Sequence, residues 1–294
     1  MYLKFHNLRE FPFALSCEPK FFYNSAIHSE ALANMLYTVE QRKGMVLISG
    51  EVGSGKTFVG GMLGERLGPG CLVIQLKHPP QSGKQLLRGI AKRIGMNLPA
   101  SADRLDLAEM LEEHLSRLFH RGRLVVLVVD ESQDLTAASL EELRLVWNWE
   151  ESGQRLVQIV LMGQPELRDR LQEPKWEPLR QRIVLSYHLG NLSAQDTAAY
   201  IAHRLRVAAD EGGARAEFTP EALADIHAAS DGIPRLINVL CDNALLVAYS
   251  RGVNVIDRQT VSAVLRDMTC WGLHVSDVAT QRTANDMASE PRQE

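Results

Sequence analysis

Cysteine is scarce in this sequence: only Cys17, Cys71, Cys241 and Cys270 occur in 294 residues, and they lie far apart. There is no Cys-x-x-Cys pair and no Cys/His cluster at metal-ligand spacing, which excludes a disulfide scaffold and a structural zinc site. Ordinary reduced thiols in a cytosolic protein are the expectation. Long apolar runs are also missing: none approaches the roughly 20 residues needed to cross a bilayer. The opening Met1-Tyr2-Leu3-Lys4-Phe5-His6 lacks the pattern of a signal peptide. A soluble, cytoplasmic chain without membrane insertion is therefore expected. Positive charge is not in excess either. Thirty-two Lys and Arg against 36 Asp and Glu give a net charge of −4. That excludes a global basic field for nucleic acid or anionic lipid but allows a local one. No internal repeat and no low-complexity tract is present.

What the chain does contain is enough apolar sequence, 45%, to bury a substantial core. Short apolar segments at residues 45–49, 71–76, 124–129, 156–162 and 183–185 alternate with amphipathic helical stretches over residues 26–190. This rhythm predicts an α/β domain with a five-stranded parallel sheet, its strands apolar throughout because helices cover both faces. Beyond Leu189 the segments 193–208, 220–229, 234–250 and 257–268 read as helices only, forming an all-helical lid over residues 191–270. Ser193 with Asp196 resembles a capping box, and Thr219-Pro220 places a capping hydroxyl before a first-turn proline. Residues 1–25 form an N-terminal segment, and the polar stretch 271–294 reads as a disordered tail.

Gly50-Glu51-Val52-Gly53-Ser54-Gly55-Lys56-Thr57, running into Phe58, matches the P-loop pattern between an apolar strand and a helix-forming run. The glycines let successive N–H groups turn toward phosphate oxygens, and the following helix adds its positive end. In that pattern Lys56 reaches the outer phosphates of ATP and Thr57 binds Mg²⁺. The apolar run 124–129 then ends in Asp130-Glu131, a Walker B pattern. Asp130 is placed to support the Mg²⁺ shell and Glu131 to polarise the attacking water. Without a P-loop, the same acidic pair would read as a helix cap.

Three weaker signals follow. Gln164 ends the next apolar run, where its amide would contact a γ-phosphate or water as sensor 1; a plain turn residue before Pro165 is the alternative. Arg180 and Arg182 precede the last strand, where an arginine could reach a neighbouring subunit's γ-phosphate, with Arg182 preferred and surface ion pairing as the alternative. Arg235, in Gly232-Ile233-Pro234-Arg235, opens a helix, where a cation is disfavoured unless an anion is near. That points to a sensor-2 role, against a solvated arginine.

Taken in order, these motifs resemble the ExeA-type AAA+ ATPases associated with general secretion, a family related to transposition ATPases. The likeness includes Phe5-His6-Asn7-Leu8-Arg9-Glu10-Phe11-Pro12-Phe13, Pro19-Lys20-Phe21-Phe22-Tyr23 and Tyr200-Ile201-Ala202-His203-Arg204-Leu205. It implies an AAA+ core with a helical lid, an adenine pocket partly closed by the N-terminal segment, and nucleotide-dependent oligomers, as rings or filaments. Secretion members typically continue into a transmembrane helix and a cell-wall-binding domain, neither of which lies in these residues.

Three functions are compatible with this chemistry. One is a motor or switch acting on a partner of a secretion or export system. Another is a DNA-associated ATPase working with a transposase on duplex DNA. The last is a nucleotide-bound scaffold without turnover, disfavoured by the complete set Lys56, Thr57, Asp130 and Glu131. A row of Lys84, Arg88, Lys92 and Arg93 at helical spacing offers a basic stripe for DNA, or simply the solvated face of an amphipathic helix.

Overall fold

The computed structural model describes residues 1–270, so the stretch read as a disordered tail lies outside the described residues. The chain divides into two compact units, residues 26–52 with 56–189, and residues 1–25 with 53–55 and 190 onward.

The first unit is built on five strands: β1 Met45–Gly50, β2 Cys71–Leu76, β3 Leu124–Val129, β4 Val157–Gly163 and β5 Ile183–Leu189. All pair in parallel, in the order β2-β3-β4-β1-β5. Helices α1 Ala26–Glu40, α2 Lys56–Leu67, α3 Gly83–Arg93, α4 Arg104–His120, α5 Ala137–Asn148 and α6 Pro165–Leu171 cover the sheet. The strands are apolar at consecutive positions because each face has its own layer. Odd-numbered side chains such as Leu47, Val125, Leu127, Ile159 and Leu161 pack with Leu86, Leu107, Leu111 and Leu140 of α3, α4 and α5. The alternate residues Val46, Val126, Val128 and Met162 are equally buried. On that side Gly60 of α2 lies so close to Met162 and Val128 that a methyl group there would meet the Met162 side chain at 2.6 Å.

The fifth strand runs on through Ser186-Tyr187-His188 to Leu189, four residues beyond the apolar segment seen in sequence. It is an edge strand, and its residues alternate between half-buried and exposed, so continuous apolarity could not reveal its length. Its polar residues are used locally: Ser49 Oγ lies 3.1 Å from His188 Nδ1, and the Tyr187 hydroxyl donates to Glu30 at 3.0 Å.

The second unit contains α7 Ala194–Ala208, α8 Pro220–Ser230, α9 Pro234–Arg251 and α10 Arg258–Cys270. Ser193 Oγ accepts from the Asp196 N–H at 3.0 Å, and its own hydroxyl donates to the Asp196 carboxylate at 2.8 Å. Thr219 caps α8 by accepting from Ala222 N–H, with Pro220 in the first turn. This region is helical as expected, with one addition: Glu217–Phe218 and Val255–Ile256 pair as a two-residue parallel ladder. Two-residue strands carry no readable period, although Phe218 and Ile256 are buried.

The N-terminal segment is woven into this helical unit. Leu8 bridges to Ala209, Arg9 N–H donates to the Ala208 carbonyl at 2.9 Å, and Tyr2 donates to the Asp242 carboxylate. Burial and that carboxylate push the Tyr2 hydroxyl far above the usual phenol range. Among the described residues no helix is long and apolar enough to cross a membrane. Cys71 and Cys241 are free thiols, and burial pushes Cys71 up to about 11, away from nucleophilic use.

Candidate nucleotide site

In a parallel sheet, ligands gather beyond the carboxyl ends of the strands. The order β3-β4-β1 puts three such ends side by side, and each is followed by sequence-predicted site residues. These are Asp130-Glu131 after β3, Gln164 after β4 and the glycine-rich loop from Gly50 after β1.

Lys56 and Thr57 open α2. The buried Lys56 ammonium donates to the carbonyls of Gly50 at 2.7 Å and Glu51 at 2.8 Å, so the lysine folds back over its own loop. Burial pushes its pKa below the ordinary lysine value, while the Glu131 and Asp130 carboxylates work in the opposite direction. The Thr57 hydroxyl donates to Asp130 Oδ2 at 2.7 Å, bringing the P-loop and the end of β3 into direct contact. Asp130 is itself buried, and its other oxygen accepts from Glu131 N–H at 3.0 Å.

Glu131 has a left-handed backbone, φ 48° and ψ 41°. An L-residue pays roughly 1–2 kcal/mol for that conformation, which marks a sharp turn straight after the strand. Its carboxylate accepts from Gln133 Nε2 at 2.8 Å. The Gln133 side-chain oxygen Oε1 in turn accepts from the backbone N–H of Gln164 at 3.0 Å. Sequence reasoning missed Gln133. Its only signal was position, two residues beyond the carboxylate in Asp130-Glu131-Ser132-Gln133.

Gly53 and Gly55 have φ of +85° and +100°, values that suit glycine and curl the backbone into a cradle. The crest Gly53–Gly55 belongs to the helical unit. There the Arg235 N–H donates to the Gly53 carbonyl at 3.3 Å, and a methyl group on Gly53 would fall 2.5 Å from Arg235 Cβ.

The donor set suits a polyphosphate and one hard cation. The loop offers backbone amides and a lysine, while Thr57 and Asp130 offer adjacent oxygens. A hydroxyl with one carboxylate is the protein share that magnesium takes when water and phosphate supply the rest. Among the described residues no cluster of three or more His, Cys, Asp or Glu could hold a metal alone.

The two arginines before β5 are occupied within their own unit. Arg182 donates to Asn148 Oδ1 at 3.2 Å and to the Pro178 carbonyl, and it lies 5.4 Å from the centre of the Trp147 ring. Burial, then Arg144 and Arg155 nearby, push its pKa below the ordinary arginine value. Arg180 donates to the Gln172 carbonyl at 3.2 Å. In the basic row on α3, the Arg88 guanidinium donates to the carbonyls of Pro99 and Ala100, each at 3.0 Å. That arginine fastens the loop after α3, while Lys84, Lys92 and Arg93 are exposed.

Residues 39–171, which span β1 through α6, match the AAA domain family. The likeness to that family is carried by this region. The chain is 39% identical over 277 residues to General secretion pathway protein A of Aeromonas hydrophila, covering 92% of this chain and 50% of that protein. It therefore spans about half the length of that curated relative. The fold is that of an AAA+ core followed by a helical region. The Aeropyrum pernix ORC2 protein in its ADPNP–ADP complexes superposes with a TM-score of 0.66 at 15% identity, over 87% of this chain and 70% of that one. The Aeropyrum pernix ORC1 protein in complex with DNA gives 0.63 at 19% identity, over 86% and 68%. At such identities the likeness speaks for the fold of the AAA domain and its helical companion alone.

Proposed function

We propose that the chain binds ATP with Mg²⁺ at the loop Gly50–Phe58 and hydrolyses it. The observation that carries this reading is the 2.7 Å contact between the Thr57 hydroxyl and the Asp130 carboxylate, with Lys56 and Glu131 beside it. Thr57 and Asp130 would hold Mg²⁺, and Lys56 would neutralise the outer phosphates. The cation supplies charge neutralisation on the phosphate oxygens when bound. Glu131 orients a water and takes up its proton, while Gln164 sits at the neighbouring strand end as a polar contact for the terminal phosphate. Arg235, a cation at the opening of α9 where a nearby anion is favoured, is assigned to nucleotide phosphate on that ground.

The chain acts as a nucleotide-dependent oligomer on a protein partner of a secretion or export system, a reading supported by its similarity to General secretion pathway protein A. Arg182 is the residue proposed to reach a neighbouring subunit. It makes no carboxylate ion pair among the described residues, and its present partners are neutral. Duplex DNA is the competing partner, and its case is weakened because Arg88 of the basic row is spent on backbone carbonyls.

The mass distribution of Glu131→Gln protein with ATP and Mg²⁺, with and without duplex DNA, tests this reading. Discrete assemblies that form without DNA and dissolve in Arg182→Ala are expected. Assemblies that appear only on DNA would transfer the function to the competing partner. A monomer at every concentration would remove Arg182 from any role between subunits.

A further inference from the structure

Gln133 is half-buried on the single 3₁₀ turn Ser132–Asp134, and its amide is committed at both ends. Nε2 donates to Glu131 Oε2 at 2.8 Å and lies 3.4 Å from Asp134 Oδ2. Oε1 accepts from the Gln164 backbone N–H at 3.0 Å. The partners dictate the amide's orientation. Reversing it would set its oxygen against a carboxylate and its NH₂ against an N–H, losing both bonds at once.

The surroundings are shaped to admit this side chain. A methyl group on Gly163, the last residue of β4, would lie 2.9 Å from Gln133 Oε1 and 3.2 Å from Gln133 N. The absence of a side chain at Gly163 therefore lets the amide reach the strand end. Arg170 of α6 secures the turn from the other side, donating to the Gln133 carbonyl at 3.3 Å and the Leu135 carbonyl at 2.5 Å.

We infer that Gln133 is the positioning residue for Glu131. It ties the carboxylate to the end of β4, so that the place of the water-polarising group is set by the strand that also presents Gln164. The physical need is clear from Glu131 itself: it stands on a strained left-handed residue just past the strand, and its carboxylate oxygens have otherwise free rotation about three side-chain bonds. One hydrogen bond from an amide that is anchored to a rigid strand end removes that freedom. Misplacing a reacting group by about 1 Å costs on the order of a hundredfold in rate. This inference rests on Glu131 acting as proposed above.

Two variants separate positioning from mere support of the turn. Gln133→Leu removes both hydrogen bonds at similar volume. Gln133→Glu keeps an acceptor for the Gln164 N–H but loses the donor to Glu131 and sets a like charge beside it. Both should lose roughly 10- to 100-fold in kcat with the Kd for ATP within about twofold of wild type. Hydrogen exchange in the nucleotide-free protein should show the Gln164 amide less protected in Gln133→Leu and protected as in wild type in Gln133→Glu. Wild-type kcat in Gln133→Glu would overturn the inference, because the anchor to Gln164 would then suffice. So would a loss of ATP affinity that accounts for the whole loss of activity in both variants. Glu131→Gln run in parallel distinguishes the two levels: if that variant still turns over, the role of Glu131 fails first, and the inference falls with it.

Discussion

Replacing Glu131 with glutamine is expected to lower ATP turnover by about 10²- to 10⁴-fold while ATP affinity stays within about twofold of wild type. The amide has nearly the same shape as the carboxylate, and its oxygen can still accept from Gln133 Nε2, so the turn after β3 keeps its geometry. What is lost is the basic oxygen proposed to take a proton from water. Lys56, Thr57 and Asp130, the residues proposed to hold phosphate and cation, are untouched. Steady-state phosphate release beside an equilibrium titration of ATP measures both quantities. Unchanged release would take Glu131 out of the chemistry, whatever its position.

Arg204→Met is expected to destabilise the helical unit by about 3 kcal/mol, although the residue lies in none of the nucleotide-binding motifs. Arg204 is only 2% exposed. Its guanidinium donates to the Pro12 carbonyl at 2.5 Å, the Ala14 carbonyl at 2.9 Å and the Tyr200 hydroxyl at 2.7 Å. The Phe21 ring centre lies 4.8 Å away, close enough for a cation–π contribution. Tyr200 passes the network on to Asn238 at 2.8 Å. Methionine would fill much of the volume and leave the Pro12 and Ala14 carbonyls without these donors. Since a domain's whole stability is only about 5–15 kcal/mol, the loss is a large share of it. A urea titration should show a clearly lower midpoint at unchanged slope. A loss below about 1 kcal/mol would mean that water replaces the arginine and that the N-terminal segment is held by its apolar contacts.

The legible parts of this protein were those in which neighbours in sequence do the work. The P-loop is eight consecutive residues, and the acidic pair follows an apolar run without a break, so both could be placed from local pattern. The three internal strands β1, β3 and β4 were legible because burial on two faces demands unbroken apolar sequence. The edge strand was cut short because Ser186 and His188 are exposed on it. Gln133 was missed for a different reason. Its meaning depends on Gln164, 31 positions away, and on the strand order that makes β3 and β4 neighbours. Arg182 shows the same limit. That Trp147 and Asn148 receive its guanidinium follows from packing, and no spacing in the chain announces it. Arg204 left a trace, four residues after Tyr200 on a helix with buried Ile201 and Leu205, but only the fold brings Pro12 and Ala14 to it.

The central claim is that Lys56, Thr57, Asp130 and Glu131 form a working Mg²⁺-dependent ATP site. Its most direct test is phosphate release from ATP by the purified chain across a range of protein concentrations, with Mg²⁺ or with chelator, beside Lys56→Ala. The account predicts release by the wild type with Mg²⁺ only, and background release by Lys56→Ala under every condition. Equal release by the two proteins, or none by the wild type at any concentration, would contradict it.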